Sequence, residues 1–328
     1  MTSPIILSRT PFRLTLGGGS TDLPSYYEKY GGFIFAMTIN MYMDILIKKP
    51  ASDDNIHIQY MKYEVESSVD HVRHTIGREA LKMTGIKNKV LISFTADTPA
   101  GTGLGSSGAC SVGLLKGLSL YKGVEISNLE AAEQSFVLTR NLGLPDGKQD
   151  PYACALGGFI VLEIGMNGAV EIIKSPITPD TADRFFKNTL FFYTGIRRDS
   201  KPLLAAQNSE KILDLKHRTK EIGRKILKCF LIGDLDAFGL LMDEHWRVKK
   251  AMSGGMTNEW FDNIYDAARK AGALGGKIMG AGGGGYFMFY CSSEEAKNSV
   301  RQALLKFGMR EMNFALDEQG ARAKVLNF

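Results

Sequence analysis

The chain has 328 residues, 44% hydrophobic and 23% charged, a composition that suits a soluble globular protein long enough for two domains, each with its own core. Its 40 basic and 35 acidic residues leave a formal net charge of +5 with no long like-charge block, which suits small anionic ligands and is too weak a bias for a nucleic-acid binder. No apolar run is long enough for a membrane span, and Cys110, Cys154, Cys229 and Cys291 lie too far apart for a Cys-x-x-Cys site, so they read as buried thiols in a reducing compartment.

In chain order, Ile5–Leu16 has strand character and breaks at the run Gly17–Asp22, where Asp22 is placed to cap a short helix through Tyr30. Ile5–Leu7 is too short for a signal-peptide core and Arg9 follows at once, so a cytoplasmic location is expected. Phe33–Ile39 and Met43–Lys48 read as paired strands, and Ile56–Tyr60 as another. Val69–Met83 is helical, with Val69, Val72, Ile76 and Ala80 on one face and Gly85 past its end. His71 and His74 lie on it without further ligands at metal spacing, so they read as surface residues.

The strand-like run from Val90 leads into Pro99–Ala109, where Gly101, Gly103, Gly105 and Gly108 are interleaved with Leu104, Ser106 and Ser107 just before the helical spacing of Cys110–Leu120. A glycine-rich strand-to-helix turn is a phosphate cradle: the first-turn N–H groups lack intrahelical partners and the helix dipole is positive there. Ser106 and Ser107 add hydroxyls that can donate to phosphate or ligate a magnesium ion. No lysine follows, which excludes a P-loop, and the dinucleotide fingerprint Gly103-x-Gly105-x-x-Gly108 is a weak match because it does not open the chain's first βαβ unit.

Ser127 and Glu130 form a capping box for a helix to about Arg140, closed by Gly143. The turn Pro145–Gly147 and the short segment Lys148–Pro151 follow, then a strand pair at Phe159–Ile164 and Val170–Ile173. Pro176 to Pro179 marks the expected boundary between domains 1–178 and 179–328. Beyond it come a strand at Thr189–Thr194, two or three helices between Pro202 and Ala271, the cluster Gly280–Gly285, a strand at Tyr286–Tyr290, and a helix from a capping box at Ser292 and Glu295 to Gly308. That order suggests an α+β sandwich for the second half, and no repeat of fixed period is found.

Three glycine-bearing segments, Arg9–Asp22, Pro99–Ala109 and Lys277–Gly285, stand in this order across nearly the whole chain. Together they resemble the signature of the GHMP small-molecule kinases. Gly18–Asp22, Gly147–Ala153 with Gly157–Phe159, Trp246–Lys250 and Gly282–Gly285 are most similar to the bacterial heptose phosphate kinases and fucokinases of that superfamily. The resemblance implies a two-domain α+β fold, its first half like domain 2 of ribosomal protein S5 and its second a ferredoxin-like sandwich. It also implies ATP and Mg2+ as cofactors, with a sugar or sugar phosphate as acceptor and no nucleic-acid or membrane partner.

Site roles follow from the same resemblance. Asp150 matches the family's catalytic aspartate, Arg13 the basic residue of the first motif, and Pro99–Gly108 the ATP-phosphate loop with Ser107 as metal ligand. Gly18, Gly19, Ser20, Thr21 and Asp22 match the sugar-binding end, while Gly282, Gly283 and Gly284 close over nucleotide and substrate. The residues alone leave other readings open: a turn aspartate before Pro151, a surface arginine on a strand, and a helix cap at Asp22. Thr139 stands where related kinases carry a magnesium-binding glutamate, with Glu133 the nearest acid earlier on that helix. For an acceptor's own phosphate, Arg197, Arg198, Lys201, Lys249 and Lys250 are available. The expected activity is phosphorylation of the anomeric hydroxyl of D-glycero-D-manno-heptose 7-phosphate. The alternatives are a fucokinase- or galactokinase-like enzyme, another small-molecule kinase, and a catalytically weak sugar- or nucleotide-binding relative.

Overall fold

The structure is a computed structural model that describes residues 4–174, 177–198, 203, 210–253 and 255–326. Pro176 and Lys201 lie outside the described residues. Among the described residues twelve strands form two sheets. The first runs β12 (Arg322–Leu326), β1 (Ile5–Gly17), β2 (Gly32–Lys48), β5 (Val90–Ala96), β3 (Ile56–Gln59) and β4 (Tyr63–Glu66), with β6 (Phe159–Ile164) and β7 (Val170–Lys174) branching from β2. Only β3 and β5 pair in parallel within it. The second sheet is antiparallel, in the order β11 (Arg310–Met312), β8 (Thr189–Tyr193), β10 (Tyr286–Cys291), β9 (Ala273–Ile278).

Phe33–Ile39 and Met43–Lys48 do not pair with each other as expected. They are the two halves of the long strand β2, whose first half pairs with β6 and whose second half pairs with β5. Both halves lie antiparallel to β1, with an irregularity between Pro11 and Phe12 that opposes Tyr42 and Ile39. Local apolar patterning cannot tell a hairpin from a continuous strand that changes partner.

Helices α1 (Pro24–Tyr30), α2 (Thr75–Thr84), α3 (Ser106–Tyr121), α4 (Asn128–Asn141) and α5 (Gln149–Leu156) belong to the first half. Helices α6 (Pro179–Asn188), α7 (Leu213–Ile232), α8 (Leu235–Met252), α9 (Glu259–Lys270) and α10 (Glu294–Leu305) follow. α3 is buried along Gly108–Ser119, the mark of a central helix rather than a surface one. Its small residues Gly113 and Gly117 let it approach Thr10, Ile45, Ser8 and Ile47 of the first sheet. The capping box of Ser127 and Glu130 forms as read.

Four local readings change. Asp22 does not cap α1, whose N-cap is Leu23 without a side-chain bond. The expected helix from Val69 is a single 3-10 turn, and α2 begins after His74, whose ring accepts from Gly77 N–H and stacks on Phe94 at 4.9 Å. His74 is therefore a half-buried cap rather than a surface residue, while His71 is exposed. α10 is capped by Ser293, one residue later than the expected box. The segment Lys148–Pro151 is the start of α5, because a proline in the first turn forfeits no intrahelical bond.

The largest hydrophobic cluster joins the two halves. Leu14, Phe35 and Phe159 of the first sheet meet Phe230 of α7 and, from helices that pack on the second sheet, Phe185 and Phe238. All four cysteines are buried and free. Among the described residues no helix is long and apolar enough to cross a membrane.

Candidate active site

The site begins at β1, whose last residues are buried on both faces between α3, α5 and α7. Arg13, 3% exposed, projects from it and is no surface residue. Its backbone N–H donates to Leu104 O at 3.0 Å and its Nη1 to Gly103 O at 2.7 Å, so one arginine ties the first motif to the glycine loop. Its Nε and Nη2 donate to Asp150 Oδ1 at 2.8 and 2.7 Å. Gln149 Nε2 donates to the same oxygen at 2.9 Å. Among the described residues Asp150 Oδ2 has no hydrogen-bond partner, while three donors hold its sister oxygen.

The loop reaches this position only because of its glycines. A Cβ on Gly103, which has φ +83°, would lie 2.5 Å from Met279 O of the third motif. A Cβ on Gly108 would lie 2.7 Å from the Asp150 carbonyl carbon, so the start of α5 rests directly on the start of α3. Close backbone approach thus sets Asp150 beside the free first-turn amides of α3.

These groups line one cavity of about 390 Å3 that also takes in Asp22, Asp146, His245, Lys249 and Lys277. Of the residues expected at the site, Arg13, Gly19, Ser20, Asp22, Gly101, Gly103, Gly105, Ser106, Ser107 and Asp150 line it. The others do not. Leu104 is core, with its carbonyl serving Arg13. Pro99 is exposed and its carbonyl accepts from Thr102 Oγ1. Gly18 packs on Phe33, and Thr21 is fully buried, its hydroxyl bonded to Gly18 and Phe33 carbonyls. Gly282, Gly283 and Gly284 pack on Met256, Gly255 and Ile196, and Gly280 and Ala281 reach the cavity in their place.

Asp22 is 5% exposed and accepts Gln149 N–H at 2.9 Å. Burial pushes its carboxyl up to about 6, opposed by that amide and reinforced by the charge of Asp150. Burial likewise lowers Lys249 to about 7, with Arg198 and Arg13 adding repulsion. Lys277 is held well below the usual lysine range by burial, then Lys249 and Arg13. His245 is lowered by burial, then by Lys277 and Lys249. The cavity therefore gathers basic side chains whose charge is disfavoured by burial and mutual repulsion, together with three carboxylates, and a bound polyanion would favour their protonated forms.

Sequence reasoning missed Asp146, His245 and Lys277 as site residues. In the sequence Lys277 stands only as the lead of a glycine motif, and a single histidine or a turn aspartate gives no signal by spacing. Of the residues considered for an acceptor phosphate, Arg198 and Lys249 line the cavity, Arg197 is exposed, and Lys250 pairs with Asp262 at 3.0 Å. Thr139 is buried with its hydroxyl bonded to Phe136 O, and Glu133 is exposed, so neither lines the cavity.

Comparison with known proteins identifies the class. Residues 65–158 match the GHMP kinases N terminal domain and residues 226–309 the GHMP kinases C terminal domain. The chain belongs to the GHMP kinases, small-molecule phosphotransferases with an alcohol group as acceptor, and has their mixed α/β fold. Among its relatives, the D-glycero-alpha-D-manno-heptose 7-phosphate kinase of Campylobacter jejuni is 28% identical over 97% of this chain and 98% of that protein. The crystal structure of a D-glycero-D-manno-heptose 1-phosphate kinase from Bacteroides thetaiotaomicron superposes with a TM-score of 0.81 at 25% identity, covering 98% of this chain and all of that one. The L-fucokinase/L-fucose-1-P guanylyltransferase of Bacteroides fragilis is 25% identical over 92% of this chain but only 36% of its own length.

Proposed function

We propose that this kinase transfers the γ-phosphoryl group of ATP to the anomeric hydroxyl of D-glycero-D-manno-heptose 7-phosphate, giving the 1,7-bisphosphate. The observation that carries the reading is Asp150: anchored through Oδ1 by Arg13 and Gln149, it keeps Oδ2 free in a cavity it shares with the α3 amides. The first-turn N–H groups of α3 with Ser106 and Ser107 hold the donor's phosphates. As the acceptor oxygen bonds to the γ-phosphorus and the bond to ADP breaks, Oδ2 takes the hydroxyl proton. Arg13 lies against the phosphate loop and offsets charge on the transferring group. Gly19, Ser20 and Asp22 line the sugar end, where a carboxylate accepts from paired hydroxyls.

The donor set suits Mg2+, which binds through one or two carboxylates, hydroxyls and substrate phosphates rather than an all-protein cage. Ser107, Asp146 and Asp150 are among the hard oxygen donors that line the cavity, and no group of three or more His, Cys, Asp or Glu side chains placed to hold a metal occurs among the described residues. Bound there, the ion would neutralise phosphate charge. Cytoplasmic residence accompanies this proposal, since ATP and sugar phosphates are held there.

The test is Asp150→Asn. Turnover should fall about 100- to 10,000-fold, the range for loss of a general base, while an ATP analogue still binds. Phosphorus NMR of the wild-type product should place the new phosphate on the anomeric carbon. Undiminished turnover would remove Asp150 from the mechanism, and a phosphate elsewhere would move the acceptor to another class.

A further inference from the structure

The donor cradle and Arg13 leave a second group of basic side chains in the same cavity that, among the described residues, has no carboxylate partner. His245, Lys249 and Met252 lie along one stripe of α8, at spacings of four and three, and all three line the cavity. Lys277 enters it from β9, which packs against α8. Lys249 Nζ donates to Gly280 O and lies 3.5 Å from Ile278 O; Lys277 Nζ donates to Leu16 O at 3.4 Å. Among the described residues neither ammonium forms an ion pair with a carboxylate. His245 is 2% exposed, and its Nδ1 has no hydrogen-bond partner. A buried cation without a counter-charge, or a buried polar atom without a partner, costs stability in the free protein, and a ligand that supplies the missing charge recovers it.

We propose that Lys249 and Lys277 grip a phosphate monoester carried by the acceptor, with His245 Nδ1 left for a hydroxyl of the same ligand, so that the enzyme selects a sugar phosphate over a free sugar. This deepens the kinase reading above and rests on it. Lys249, bonded to Gly280 O, borders the donor cradle because Gly280 packs on Gly103, and Lys277 carries the pair on toward the first motif. The cradle is built from residues 101–107 and the start of α3, with amides, hydroxyls and Arg13. Lys277 instead bonds the Leu16 carbonyl at the end of β1, immediately before the glycine run that leads to Asp22. Once protonated, the two lysines match a dianion, and a neutral sugar would leave both uncompensated. The low proton affinity of both lysines in the free protein is consistent with this, since an arriving dianion restores their charge.

Two measurements on the full-length protein decide it. Inorganic phosphate titrated into protein saturated with a non-hydrolysable ATP analogue and Mg2+ should raise the melting temperature, and Lys249→Met should abolish that shift. In steady-state assays, the kcat/KM ratio of D-glycero-D-manno-heptose 7-phosphate to the same heptose without its phosphate should fall about 10- to 100-fold in Lys249→Met, the size of a lost hydrogen bond to a charged group. Its KM for ATP should stay within about twofold, because the donor is held elsewhere. Lys277→Met should repeat the loss of selectivity. A matching loss of ATP affinity would assign the lysines to the donor and overturn the proposal, as would a phosphate shift that survives in Lys249→Met. Should wild-type protein phosphorylate neither heptose, the acceptor reading fails, and the phosphate titration still decides whether this anion site exists.

Discussion

At the scale of single residues, Asp22 and Asp150 show how environment divides two carboxylates in one cavity. Asp150 has its charge matched by the Arg13 guanidinium at 2.7 Å. Asp22 accepts the Gln149 amide, forms no ion pair among the described residues, and is almost completely buried. Its folded pKa of about 6 lies above the ordinary 3.8, so the native state binds this proton more tightly than the unfolded chain. The contribution to stability is thus complete below about pH 4 and is lost as pH rises through 6, a loss of about 3 kcal/mol by pH 7. Asp22→Asn keeps an acceptor for Gln149 N–H and removes the charge. We expect it to raise the melting temperature at pH 7, flatten the stability profile between pH 4 and 6, and weaken acceptor binding, as checked by calorimetry at several pH values and by the acceptor KM. An unchanged pH profile would show that Asp22 titrates as an ordinary carboxylate.

At the scale of elements, the site depends on where the glycine loop touches β9 and α5. Gly103→Ala forces a Cβ to within 2.5 Å of Met279 O at a backbone angle that L residues avoid. We expect a loss of about 1–3 kcal/mol, from denaturant melts, and a higher KM for ATP, because the loop must withdraw from its hydrogen bonds to Arg13. Full retention of stability would mean that the loop shifts freely. α4 was legible in the sequence because its capping box is local chemistry, complete within four residues. α5 was not, since an Asp-Pro pair opens a turn or a helix with equal ease, and here packing of Gly108 on Asp150 decides. β9, Ala273–Ile278, was also missed as a strand, because Gly275 and Gly276 lower its local preference. Those glycines allow the Gly239 carbonyl of α8 and the Met288 carbonyl of β10 to approach.

For the whole molecule, the two halves share a core. Phe230 on α7 is fully buried, with ring centroids of Phe35 and Phe159 at 5.2 and 5.6 Å on one side and those of Phe185 and Phe238 at 5.3 and 5.0 Å on the other. The last strand, β12, returns to pair with β1 from Ile5 to Arg9, across the boundary expected near 178. We keep domains 1–178 and 179–328 as a proposed division of the sheets, with β12 as the exception. Shared packing predicts joint unfolding: the wild type should melt in one calorimetric transition. Phe230→Ala should lower its stability by about 3–5 kcal/mol without splitting it, the cost of truncating a buried phenylalanine. Two separated transitions in the wild type would show that the halves fold independently.

The sequence by itself determined the features whose physics is local or patterned: the strand-to-helix phosphate turn, the Ser127 cap, the buried free thiols, and the three glycine segments whose order marks the family. Tertiary structure alone decided which residues meet. Arg13 and Asp150 are 137 positions apart, and Lys277 and Leu16 are 261 apart. Such contacts arise from chain crossings that no periodicity encodes. Charge in the cavity, likewise, follows from burial: a lysine's composition is the same in water or in a wall, and only the packing around Lys249 and Lys277 leaves them in need of an anion.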